Sequence, residues 1–152
     1  MKILPFLSLL FAGALATQAA EPKAAALKPV SDANNAFTID LHQQLRAKGG
    51  NLFYSPYSIS RALGMTHAGA RGNTAAEMAK VLRLPANAHA QQGALMGAIN
   101  DGAKGGKYII SVANSLWGQT GERFQAPFTG LLEKNYGAGL AQLNFNGQPE
   151  PS

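Results

Sequence analysis

Two groups of side chains in this sequence are reactive enough to do chemistry. They are three histidines, His42, His67 and His89, and two serines set around a proline in Ser55-Pro56-Tyr57-Ser58. Histidine binds metals or moves protons when a second donor stands beside it, and i, i+4 spacing on one helix is the local way to arrange that. The three histidines lie far apart along the chain, so a metal site would need long-range convergence. They read as exposed or core-edge residues. No serine sits in G-x-S-x-G, and without cysteine there is no thiol nucleophile. Capping of a helix start accounts for the hydroxyls of Ser55 and Ser58. The glycine-rich run from Gly102 to Lys107 superficially matches a phosphate loop, but Tyr108 stands where a hydroxyl residue is needed and a strand pattern follows instead of a helix. GARG at Gly69–Gly72 and GAKG at Gly102–Gly105 match the clamp of an RNA-binding KH module, a tetrapeptide common by chance. No catalytic, cofactor-binding or metal-ligating residue is assigned, and the chain reads as a non-enzyme.

The elements that would position these residues are legible in the hydrophobic pattern. Ser31 or Asp32 can cap a helix whose apolar residues Phe37, Leu41 and Leu45 recur every four positions, and Gly49–Gly50 supply a left-handed stop. Leu52-Phe53-Tyr54 reads as a short strand. Ser55 then caps a helix with Pro56 in its first turn, where a missing amide proton costs nothing. Ile59, Leu63, Thr66 and Ala70 predict its buried face. Thr74-Ala75-Ala76-Glu77 has the form of a capping box opening a third helix, with Met78, Val81 and Leu82 on its apolar side and Pro85 beyond its end. A fourth helix over 90–104 is weakened by Gly93, Gly97 and Gly102, each by up to about 1 kcal/mol against alanine. Residues 107–118 carry aromatic and branched side chains on both faces, the pattern of a central strand covered on both sides. Pro127 opens another helix, and 140–145 alternates as a last strand.

Composition narrows the function classes. Of 152 residues, 46% are hydrophobic and 14% charged, which suits a globular chain. Lys2, the apolar stretch from Ile3 to Leu15 and the small residues Ala14–Ala20 form an export signal, too short and interrupted to span a bilayer. The expected organisation is a signal peptide over 1–19, a flexible linker over 20–30 rich in proline and small residues, and a folded region over 31–152. Export without cysteine fits an extracellular or periplasmic bacterial protein whose core is large enough to need no disulfide. The formal charge of +5 comes from dispersed lysines and arginines, so no nucleic-acid partner is expected, and because no second apolar run of spanning length follows the leader, no membrane insertion is expected after signal cleavage.

Four ordered segments carry a family resemblance: NNAFTIDLHQQL at Asn34–Leu45, NLFYSPYSIS at Asn51–Ser60 with its continuing helix, GARGNTAAEM at Gly69–Met78 running into VLRLP, and SVANSLWGQTGERFQAPF at Ser111–Phe128. Together they resemble the amino-terminal region of the serpins, the serine protease inhibitor superfamily. The resemblance implies an α+β fold with helices A–E and strands 6B, 2A and 1A, incomplete because nothing corresponds to the reactive loop. Asn51, Ser55, Pro56, Ser58 and Asn114 match the family's shutter, the gate beneath a central sheet that parts to admit that loop. By the same resemblance the full-length protein is a suicide-substrate inhibitor of a serine or cysteine protease, needing no cofactor. The alternative is a non-inhibitory serpin acting as an exported binding or chaperone protein. Alone, the fragment is expected to be inactive and prone to strand pairing or aggregation through its uncovered edge.

Overall fold

The computed structural model describes residues 20–104, 106, 108–110 and 112–147. The signal-peptide expectation for 1–19 lies outside the described residues. The first element, α1 (Ala20–Arg46), differs from expectation, because 20–30 is helical where a flexible linker was predicted. Helix formers at 24–28 extend it, the Lys28–Asp32 ion pair spans one turn, and Val30, only 1% exposed, anchors that turn to the body. These offset the cost of Pro29 inside the helix. Its end is as predicted, since Gly49 and Gly50 both take positive φ.

Residues 51–55 form no strand, and Phe53 stands fully in solvent. A strand forms only where a neighbour completes its ladder, and none of the described residues does so here. Next come α2 (Pro56–Gly69), α3 (Gly72–Val81) and α4 (Ala88–Ala103). The buried face of α2 is not the predicted one. Ser60, Arg61, Gly64, Met65 and Ala68 point inward, whereas Leu63 and Thr66 are exposed. Helix α3 opens two residues ahead of Thr74, with Arg71 at the cap position and no side-chain cap. Glu77 accepts instead from Asn73 Nδ2 at 2.8 Å. Leu82 is buried as expected, while Val81 is exposed.

The long strand expected over 107–118 is reduced to β1 (Leu116–Gln119). Helix α5 (Ala126–Tyr136) follows and ends at a left-handed Gly137, with Ala138 N–H donating back to the Leu132 carbonyl at 3.4 Å. The chain then enters β2 (Leu140–Leu143), which pairs parallel with β1 in the register Leu116 to Leu140 through Gln119 to Leu143. The β1–α5–β2 segment is a parallel crossover unit whose helix packs against α4 and α2. Met65, Ala68, Leu132, Tyr136 and Ala138 form the core, with Leu116, Phe128 and Leu131 packed against it. Helix α2 thus lies centrally, touching α1, α3, α4 and α5.

Candidate functional site: the start of α2 and the polar cluster behind it

The start of α2 is built as its sequence dictates. Ser55 has extended backbone, its Oγ accepts from Ser58 N–H at 3.3 Å, its carbonyl accepts from Ile59 N–H at 3.1 Å, and Pro56 occupies the first turn. Pro56 and Ser58 are half-buried, and Asn51 and Ser55 are exposed. Asn114 is half-buried in the segment before β1, and its Nδ2 is buried without a partner among the described residues. Ser55 and Ser58 are therefore joined, whereas no hydrogen bond among the described residues ties Asn114 or Asn51 to them.

Sequence reasoning missed the cluster behind this helix start. Arg61, on the second turn of α2, is 0% exposed. Its guanidinium donates through Nη1 to the Gln92 carbonyl on α4 at 3.2 Å and through Nη2 to the Tyr136 carbonyl at the end of α5 at 2.9 Å. The positive charge thus meets the negative pole of α5 and one of its orphan carbonyls. It also lies over the rings of Tyr136, at 5.1 Å, and Tyr57, at 5.8 Å. Burial pushes the Tyr136 hydroxyl up to about 12 and raises that of Tyr57, in each case against the opposing pull of the Arg61 charge. Several polar atoms around this charge have no hydrogen-bond partner among the described residues: Tyr57 Oη, Ser60 Oγ, Arg61 Nε and Gln92 Oε1. A buried polar atom without a partner costs about 1–3 kcal/mol, so α2 holds uncommitted hydrogen-bonding capacity along its inner face.

The histidines also differ from expectation. The fold joins two of the three, with His67 Nδ1 standing 3.3 Å from His89 Nε2, and His89 Nδ1 2.7 Å from Tyr136 Oη. His67 closes α2 and His89 opens α4, so the antiparallel run of the two helices makes the convergence that local spacing could not show. His42 stays apart, 3.0 Å from Tyr54 Oη at the surface. Burial and the neighbouring His67 both lower the basicity of His89.

Known proteins resemble this chain along most of its length. The serpin (serine protease inhibitor) family pattern matches residues 32–152. A serpin-like protein of Thermococcus kodakarensis is 36% identical over 124 residues, covering 80% of this chain and 29% of its own length. The human leukocyte elastase inhibitor is 37% identical over 123 residues, covering 78% of this chain and 32% of its own. Among solved structures, maspin superposes with a TM-score of 0.71 at 24% identity, over 83% of this chain and 34% of maspin. Reaction-loop-cleaved lamprey angiotensinogen gives 0.66 at 24%, over 81% and 36%. This chain therefore spans about a third of the length of these relatives, and the helices and short parallel strands described above are those of an incomplete serpin fold. A pattern match across 32–152 and identities above one third over some 120 residues leave one assignment: the chain belongs to the serpin family, whose members are generally protease inhibitors.

Proposed function

We propose that this chain forms the shutter-bearing part of an exported serpin that inhibits a serine protease as a suicide substrate. The observation that carries the proposal is the chemistry of α2. Its helix start is held by exchangeable Ser55 and Ser58 hydrogen bonds, and Tyr57 Oη, Ser60 Oγ and Asn114 Nδ2 are buried with no partner among the described residues. A sheet that must part and re-form above a helix needs groups beneath it that can switch hydrogen-bond partners, because interdigitated large side chains resist separation. Asn51, Ser55, Pro56, Ser58 and Asn114 are the residues assigned to that gate. The similarity to leukocyte elastase inhibitors supports a serine protease as target. The leader-like residues 1–19 support export.

The test uses the full-length protein encoded by the gene, mixed with elastase-type and trypsin-type proteases. An SDS-resistant stoichiometric complex is the expected product, and the 152-residue chain alone forms none. A full-length protein that is cleaved as an ordinary substrate, without trapping the protease, overturns the inhibitor reading and leaves a binding role for the same fold.

A further inference from the structure

The geometry points to a site for a divalent transition-metal ion, zinc or copper, held between His67 and His89. It goes beyond the inhibitor reading and stands independently of it.

The distances are those of a chelating pair. Two metal–nitrogen bonds of 2.0–2.1 Å meeting at the tetrahedral angle place the nitrogens about 3.3 Å apart. His67 Nδ1 and His89 Nε2 are 3.3 Å apart, and their ring centroids are 5.3 Å apart with the planes inclined by 33°. A metal ion can take the place of the present hydrogen bond once the rings turn so that each lone pair points about 35° off the line between the nitrogens. The two side chains come from the last turn of α2 and the first turn of α4, elements fixed against one another by the Arg61 bond to the Gln92 carbonyl. The donors are thus on rigid scaffolding.

The outer partner of His89 suits the role. A ligating imidazole nearly always presents its other nitrogen to an oxygen, which fixes the ring and the tautomer. His89 Nδ1 has such an oxygen in Tyr136 Oη at 2.7 Å. With Nδ1–H donated to Tyr136, the lone pair of His89 sits on Nε2 and faces His67. With its proton on Nε2, His67 offers Nδ1. In the metal-free pair His67 Nδ1 carries the proton donated to His89 Nε2, and metal binding shifts it through solvent to His67 Nε2, so both imidazoles bind as neutral ligands with no net proton release. Tyr136 Oη lies close over Gly64, where a Cβ would come within 2.8 Å of it, so the glycine leaves the hydroxyl its room. Both histidines are half-buried, which leaves an approach from solvent and room for water on the remaining coordination positions.

Calorimetric titration of the purified 152-residue chain with Zn2+ tests the site. One ion per chain is expected, with His67→Ala and His89→Ala each weakening binding at least about tenfold, Tyr136→Phe weakening it about tenfold through the lost orienting bond, and His42→Ala leaving it unchanged. No binding by the parent chain at about 1 mM Zn2+, or binding that survives both His67→Ala and His89→Ala, overturns the assignment. Should the variants fail to fold, carbethoxylation of the parent chain mapped by mass spectrometry decides the matter. Zn2+ should protect His67 and His89 and leave His42 reactive, and equal reactivity at all three with and without Zn2+ refutes the site.

Discussion

Arg61 shows what a single buried charge does in this fold. It is the donor for two main-chain carbonyls, on Gln92 within α4 and on Tyr136 at the end of α5, so it links α2, α4 and α5. Arg61→Ala leaves the helix-terminal Tyr136 carbonyl without its donor, removes the second hydrogen bond to the Gln92 carbonyl and opens a cavity, and the expected loss is roughly 3 kcal/mol in urea unfolding. A loss below about 0.5 kcal/mol would show that the clamp contributes nothing. Tyr136 gives a pH signature. Its hydroxyl titrates near 12 in the fold against 10.0 in the unfolded chain, so the unfolded state gives up its proton first. That contribution is intact below pH 10 and is lost as pH rises from 10 towards 12. His89 acts at the other end, because its folded-state value lies below the ordinary 6.5 and the unfolded chain is protonated first. Stability therefore holds above pH 6.5 and falls as the solution is acidified from there down through the lower folded-state value. Denaturant midpoints measured across pH should fall on both sides of neutrality, and Tyr136→Phe should flatten the alkaline fall. None of this was legible in the sequence. Arginine is rarely buried without a carboxylate, and the predicted face of α2 rested on Ile59, Leu63, Thr66 and Ala70, so a helix turned to bury Arg61 could not be read from the apolar pattern.

The glycines of α4 separate what sequence can and cannot say about an element. All three read as weaknesses, since glycine costs a helix up to about 1 kcal/mol. The structure divides them. At Gly93 a Cβ would stand 3.0 Å from the Asn135 carbonyl oxygen and 3.1 Å from its Cα, so α4 lies directly on the backbone of α5 there. At Gly97 nothing lies within 4 Å. Gly97→Ala should therefore stabilise the chain by up to about 1 kcal/mol, and Gly93→Ala should destabilise it by about 1–3 kcal/mol because main chain cannot swing aside as a side chain can. Thermal unfolding of the two variants checks the contrast, and equal shifts of one sign would refute the close packing. Some signals with a local cause were readable, as with Ser55 and Pro56 opening α2 and Gly49–Gly50 ending α1, while the capping box at Thr74 gave way to an earlier start of α3. Local signals failed where the cause lay elsewhere. The strand expected over 107–118 keeps pairing only at 116–119, where β2 supplies a ladder, and Leu52–Tyr54 has no ladder at all.

The described part of the chain leaves much apolar surface uncovered. Ile109 is 93% exposed and Phe53 fully so, while Trp117, Leu143 and Phe145 are each about half exposed or more. Most of these flank the two-stranded sheet, which is below the three strands that usually give a sheet independent stability. Each strand has one paired edge, formed with the other, and one edge carrying free main-chain donors and acceptors. The family resemblance accounts for this pattern, since a serpin covers these strands with others of its central sheet. An isolated chain has a different outlet, which is another copy of itself. Parallel addition along β1 or β2 would satisfy the open edge and bury Trp117 or Leu143. The purified 152-residue chain is therefore expected to sediment as a concentration-dependent mixture of dimers and larger species. Trp117 emission should shift to the blue as association proceeds, because its ring leaves water. Lysine at Ile109 and Leu143 should restore the monomer, since charge on an edge opposes pairing. A parent chain that stays monomeric at about 100 µM with one sharp unfolding transition would show that the uncovered strands are satisfied within the chain itself.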